Sequence, residues 1–280
     1  MNYFKTLIYG NKILKVNNIK SYSLDSELIL AKVLNSTREE LLINLEKKVD
    51  DLKFNSFKKL LLRRKKKEPL AYILKKKEFW KNNFFVNKDV LIPRPETELI
   101  VDQVLKFTDL NSSKHILDIG TGSGCIILSI IKERPKWHGT ALDISKKAIK
   151  VAISNAKMHH LQNKIRFLNI DIDKFKEKNY DLIVSNPPYI NKINLKRLDD
   201  NVRLYEPKIA LKAGVDGLSE IRKVISKGQK LLKRNGKLVF EIGNNQMNKI
   251  KPLLIKNGFH INKICSDLQS LPRVIVSTKL

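Results

Sequence analysis

Residues 184–191, VSNPPYIN, end an apolar run with an asparagine, two prolines and a tyrosine. Neither proline can donate to a strand ladder and each fixes its own φ, so the strand stops and a stiff loop follows. That loop holds Asn186, Pro187, Pro188 and Tyr189, an amide and an aromatic ring at a strand's C-terminal end. Upstream, LDIGTGSGCIIL at 117–128 runs from a strand through Gly120, Thr121, Gly122, Ser123 and Gly124 into a helix. Glycines there permit a tight turn and let a ligand approach the backbone closely. The Gly-x-Gly-x-Gly spacing differs from the Gly-x-Gly-x-x-Gly of dinucleotide binders. Asp118 would repel a phosphate but suits the positively charged end of a ligand. Asp143 closes the next strand, 19 positions after Gly124. A carboxylate there can accept from both hydroxyls of a ribose; its competing use is a helix N-cap, open to Asp143 or Ser145. LNIDID then ends a third strand with Asp171 and Ile172, where an adenine could lie.

These residues require an alternating scaffold. Strands are predicted at HILDI, GTALDI, IRFLNID, YDLIVS, KLVFEIG, FHINKIC and RVIVSTK, with helical patterns in most gaps between them. Repeated β-α-β with apolar strands means a mostly parallel seven-stranded sheet covered on both faces, an α/β fold whose final strand is antiparallel. Ligands of such sheets bind outside the carboxyl ends of the strands. The glycine turn, Asp143, Asp171 and Asn186 fall at four successive ends of that kind.

Three segments are expected. Residues 1–75 carry helical periodicity with a break near Asn35 and Ser36, and Ser36 or Thr37 with Glu39 and Glu40 signals an N-cap. A third helix, FNSFKKLLLRRKKKEP, stops near Pro69. Residues 76–93 read as a β-hairpin linker around the polar tract Lys81-Asn82-Asn83. Residues 94–280 form the α/β domain, entered by a helix whose first turn holds Pro95, Glu96 and Glu98.

The chain of 280 residues has a net charge of +27. Of its 55 Lys and Arg residues only 11 are Arg, the residue favoured for bidentate phosphate and base contacts. Asn and Ile are plentiful too, so the basicity reads mainly as compositional drift on solvated faces, including RRKKK at 63–67 and KKK at 75–77. Two distant cysteines fit a reducing cytoplasm, not a disulfide framework. The opening residues contain no continuous apolar core of a signal peptide, and no apolar run approaches the ~20 residues of a membrane helix. His159 and His160 have no ligand set at metal spacing, so no metal is expected.

DIGTGSG, the downstream Asp143 and NPPY resemble the class I S-adenosylmethionine (SAM) methyltransferases that act on planar amide or amino nitrogens. With LIPRPETE, VRLYEP, DGL at 216–218, FEIG and RVIVS, the chain resembles the peptide chain release factor glutamine methyltransferase family over essentially its whole length. The resemblance implies a Rossmann-like class I fold, a helical substrate-recognition domain at 1–75 and a methyltransferase domain at 94–280. It implies S-adenosyl-L-methionine as cofactor, with Gly120–Gly124 against its methionine part, Asp143 on its ribose and Asn186 also among the residues that bind it. Ile172 would stand at the adenine, where relatives commonly carry an aromatic residue. Asn186, Pro187, Pro188 and Tyr189 would receive the glutamine of a Gly-Gly-Gln motif in class I release factors, with Asn186, Pro187 and Tyr189 catalytic. Arg94, Glu96, Arg203 and Glu206 either shape the substrate mouth or form salt bridges and a helix start. The expected protein is cytoplasmic and monomeric, and its reaction requires neither membrane nor nucleic acid. The alternatives are an adenine amino-group methyltransferase of DNA or RNA, a nicotinamide-dependent oxidoreductase, and a non-enzymatic basic module.

Overall fold

A computed structural model describes residues 1–191, 195 and 198–280. The chain forms two units: Met1–Lys76 with Asp199–Tyr205, and Lys77–Leu198 with Glu206–Leu280.

The first unit is helical, with α1 (Tyr3–Val16), α2 (Tyr22–Leu34), α3 (Arg38–Ile43), α4 (Asp51–Lys65) and α5 (Leu70–Leu74). Its core is built on Leu14, Ile29, Leu30, Leu41, Phe57 and Leu61. The break after α2 is Asn35 in the left-handed region at φ 55°, a conformation asparagine tolerates. Thr37 and Glu40 then start α3 with a reciprocal capping box. Buried Asp25 is paired with Arg64 at 2.6 Å, which joins α2 to α4. The short helix Asp200–Tyr205 (α9 in chain order) packs with this unit rather than with the α/β part, where the sequence reading leaves it. Lys67 pairs with Asp200 at 2.6 Å, and the Tyr205 hydroxyl donates to the Lys66 carbonyl at 2.6 Å.

The second unit opens with the hairpin β1 (Lys77–Phe79) and β2 (Asn82–Phe84). Phe79 pairs with Asn82, so the turn is Trp80-Lys81, and Asn82 and Asn83 belong to the strand. Trp80 takes φ 54° there, held by its N–H on Glu98 and its indole N–H on Glu133. There follow α6 (Glu98–Lys106), β3 (His115–Ile119), α7 (Cys125–Glu133), β4 (His138–Asp143), α8 (Lys146–Met158), β5 (Ile165–Asn169) and β6 (Tyr180–Ser185). The chain finishes with α10 (Ser219–Leu231), β7 (Leu232–Glu241), α11 (Met247–Lys256), β8 (Phe259–Ser266) and β9 (Pro272–Lys279).

Seven strands form one sheet in the order β5-β4-β3-β6-β7-β9-β8. β9 is antiparallel to both of its neighbours, and β3 to β7 pair parallel. Successive strand residues face opposite sides. Ile116 and Val184 therefore enter the layer with Ile127, Ile130 and Trp137, while Leu117 and Ile183 enter the layer with Ile221, Phe240 and Leu254. Both faces are covered, which explains the continuous apolar runs. The strand order reverses between β3 and β6, and a crevice opens there beyond the carboxyl ends. Among the described residues no helix is long and apolar enough to cross a membrane.

Candidate active site

The glycine turn is folded by its own backbone. Gly120 and Thr121 both donate to the Leu142 carbonyl at 2.9 Å, and Gly124 donates to the Thr121 carbonyl at 2.8 Å. Gly120 and Gly122 sit at φ 74° and 57°, where L side chains are strained. A Cβ on Gly120 would meet nothing within 4 Å, and one on Gly122 only the Gly120 carbonyl at 4.0 Å. The space above these two residues is thus an open cradle. Gly124 differs: its Cβ would lie 2.9 Å from Leu128 and 3.4 Å from Ala152, so it serves helix packing.

Asp143 does not cap α8. That task falls to Ser145, whose hydroxyl accepts from Ala148 N–H. The Asp143 carboxylate instead accepts from Gly122 N–H at 2.9 Å and from Ser145 N–H at 2.8 Å. Burial raises its pKa, against those two hydrogen bonds, which lower it. Asp118 is buried behind the turn and accepts from the Thr121 hydroxyl at 2.7 Å. Burial pushes its carboxyl up to about 7. Asn155 fastens the turn from below: it accepts from Phe85 N–H and donates to the Phe85 and Ser123 carbonyls.

A cavity of about 410 Å³ occupies the switch-point crevice. Its wall includes Gly120, Thr121, Gly122, Ser123, Asp143, Ile172, Asn186, Pro187 and Pro188, while Gly124 and Tyr189 are not part of it. Ile172 is buried at the start of a 3₁₀ turn capped by Asp171. Asn186 leaves β6 and donates through Nδ2 to the Thr97 hydroxyl at 2.9 Å. Thr97 in turn donates to buried Glu241 at 2.5 Å. Burial pushes the Glu241 carboxyl up to about 7. The Tyr189 ring lies beside Gly243, where a Cβ would stand 2.8 Å from it, and the carbonyl of Tyr189 accepts from Gln246. Burial, then nearby Glu241, pushes the Tyr189 phenol up.

Arg94 reaches the cavity wall and pairs with Glu206 at 2.5 Å, and Glu206 also accepts from Ile92 N–H. Arg203 pairs with Asp200 instead, on α9. Thr97, Asn155 and Glu241 are site residues that motif reading does not single out. PRPETE and FEIG flag two of their neighbourhoods, but nothing in the sequence joins positions 97, 186 and 241.

The arrangement offers an amide oxygen beside an open glycine cradle and a carboxylate one strand away. Residues 96–200 match the methyltransferase small domain and residues 5–74 the PrmC N-terminal domain. The release factor glutamine methyltransferase of Clostridium acetobutylicum is 37% identical over 98% of this chain and 97% of its own. That of Coxiella burnetii is 38% identical over 93% of both chains. The chain belongs to the release factor glutamine methyltransferase family. Members of that family are methyltransferases that use S-adenosyl-L-methionine. The chain also matches the bifunctional methyltransferase of Rickettsia felis at 36% identity over 95% of its length, and there it spans 56% of the relative, about half. A methyltransferase from Pyrococcus furiosus shares the fold, with TM-score 0.52 and 18% identity over 70% of this chain and 88% of that one. The open cradle over Gly120 and Gly122 and the Asp143 carboxylate line the same cavity.

Proposed function

We propose that this chain transfers a methyl group from S-adenosyl-L-methionine to the side-chain amide nitrogen of the glutamine in the Gly-Gly-Gln motif of bacterial class I release factors. The observation that carries this reading is the Asn186 carboxamide. It stands at the cavity wall with Nδ2 committed to Thr97, which leaves Oδ1 as the acceptor for a planar NH₂ group. Gly120–Ser123 would hold the amino-acid end of the cofactor, Asp143 its ribose and Ile172 its adenine. When bound, the cofactor supplies an electrophilic methyl group on a positively charged sulfur.

An amide nitrogen is a poor nucleophile because its lone pair is delocalised into the carbonyl. The protein's task is therefore to orient that lone pair and to stabilise the positive charge that grows on nitrogen. Asn186 Oδ1 and the Pro187 carbonyl accept the two N–H groups, and Pro187 and Pro188 keep these acceptors fixed. Tyr189, whose ring lies beside Gly243 and outside the cavity wall, would offer an aromatic face to the planar substrate amide. No strong base is needed, because the product sheds its proton to an oxygen acceptor or to water. The domain at 1–75 recognises the release factor, the hairpin linker joins it to the domain at 94–280, and the enzyme works as a cytoplasmic monomer.

The test is methyl transfer from radiolabelled cofactor to a purified class I release factor, its Gln→Ala variant and duplex DNA. Label on the intact factor alone is the expected result; label on DNA alone overturns the reading. Asn186→Ala should lower transfer about a hundredfold or more and leave cofactor binding largely intact.

A further inference from the structure

Three residues distant in sequence meet at the cavity wall: Thr97 and Asn186 line it, and Glu241 lies behind them. Ser185 on β6 pairs with Phe240 on β7, so the next step along both strands brings Asn186 level with Glu241. Thr97, at the end of the 3₁₀ turn that precedes α6, bridges them. Its hydroxyl donates to Glu241 Oε2 at 2.5 Å and accepts from Asn186 Nδ2 at 2.9 Å. Thr97 and Glu241 are 2% and 1% exposed, so water does not replace either contact.

A hydroxyl has one proton to give and two lone pairs to receive with. While Glu241 holds that proton, Thr97 can only accept, and it must therefore face the NH₂ side of Asn186. We propose that Glu241 and Thr97 are positioning residues that dictate which end of the Asn186 carboxamide faces the cavity. The proposal rests on the reading of Asn186 as the substrate amide's acceptor. If Thr97 is released to donate towards Asn186, the carboxamide turns over and presents NH₂ to the substrate's own NH₂. Two donors then face one another, and the site loses one of its two acceptors and keeps only the Pro187 carbonyl.

A carboxyl group has the same shape as a carboxylate but carries a proton. Protonated Glu241 can donate to Thr97 and free the threonine proton for Asn186 Oδ1. The ionisable groups around Glu241 are Tyr189, Glu96 and Arg273, the last bound to Asp267 at 2.7 Å. Burial places the Glu241 transition at about 7. The acceptor-outward state of Asn186 is accordingly the high-pH state.

The test uses the full chain, with Thr97→Ser, Thr97→Val and Glu241→Gln beside the wild type. The first readout is the side-chain amide NMR signal pair of Asn186, assigned by its loss in Asn186→Ala. It should shift with pH through about 7 in the wild type and in Thr97→Ser, and should stay flat in Thr97→Val and Glu241→Gln. The second readout is methyl transfer to a purified class I release factor, with cofactor affinity measured by calorimetry. Thr97→Ser should keep its turnover within about threefold, while Thr97→Val and Glu241→Gln lose about tenfold to a hundredfold in kcat at unchanged cofactor affinity. An Asn186 signal indifferent to pH and to Thr97→Val overturns the relay whatever the activity. Failure of the wild type to methylate the factor while the signal behaves as stated overturns the functional reading instead. Full turnover in folded Thr97→Val also overturns the relay.

Discussion

Gly122 N–H donates to Asp143 Oδ2 at 2.9 Å, so the glycine turn after β3 and the carboxylate at the end of β4 are one structural unit. The contact fixes the carboxylate with a neighbouring N–H from Ser145 and leaves further lone pairs that, in the proposed function, would accept from two ribose hydroxyls. Asp143→Ala removes those acceptors and unpairs the turn. Cofactor affinity should fall at least about a hundredfold, since two hydrogen bonds to a charged group at about 1.5–3 kcal/mol each are lost. Calorimetric titration of the variant checks this, and an affinity within about threefold of wild type would refute the ribose role.

Gly120 and Gly124 share a positive φ but not an environment. Alanine at either carries about 1 kcal/mol of backbone strain. At Gly124 the added methyl also presses on Leu128 and Ala152, so Gly124→Ala should be the less stable protein in urea. At Gly120 the methyl projects into open space beside the cavity. Gly120→Ala should thus lose cofactor affinity disproportionately to its stability, and the reverse ordering would refute the cradle.

Asn155 is fully buried and serves three backbone groups, at Phe85 N–H, Phe85 C=O and Ser123 C=O. Asn155→Ala leaves all three without their partner. A loss of about 3 kcal/mol in chemical unfolding is expected, because unpaired buried polar groups cost about 1–3 kcal/mol each. Asn155→Asp keeps the acceptor but loses the donor, and its deficit should be comparable.

Much of the scaffold is legible because buried parallel strands are written as uninterrupted apolar runs. HILDI and YDLIVS coincide with β3 and β6, and the antiparallel placing of the last strand holds for β9. β7 is the exception: it begins at Leu232, five residues before the KLVFEIG pattern. Its register to β6 jumps between Tyr180 and Leu182, and the exposed residues Lys233, Arg234 and Asn235 in that irregularity carry no strand pattern. The hairpin turn is misread for a related reason: Trp80 does not announce a positive φ, which Glu98 and Glu133 impose from elsewhere in the chain.

The cavity's first layer is legible because glycines and prolines reveal backbone constraints locally. The hydrogen bonds that tie its wall to the sheet behind it are not. Thr97, Asn186 and Glu241 meet only through the order of β6 and β7 in the sheet, a relation that no local pattern encodes. The placing of Tyr189 beside Gly243 likewise depends on the turn after β7.

Asp118 gives the last prediction, in which the sign of the pH effect decides. Its carboxyl ionises near 3.8 when unfolded, whereas burial moves it to about 7 in the folded chain. Between those values the native state binds the proton that the unfolded state has released. Stability contributed by this group is therefore full at low pH and is lost as pH rises towards about 7. Asp118→Asn keeps an acceptor for Thr121 and cannot ionise. Relative to wild type the variant should gain a few kcal/mol between pH ~4 and pH ~7, at about 1.4 kcal/mol per pH unit of displaced titration. Urea unfolding of both proteins across that range measures the difference directly. A constant gap would mean that the folded chain ionises Asp118 as readily as the unfolded one, and a gap that closes with rising pH would reverse the assignment.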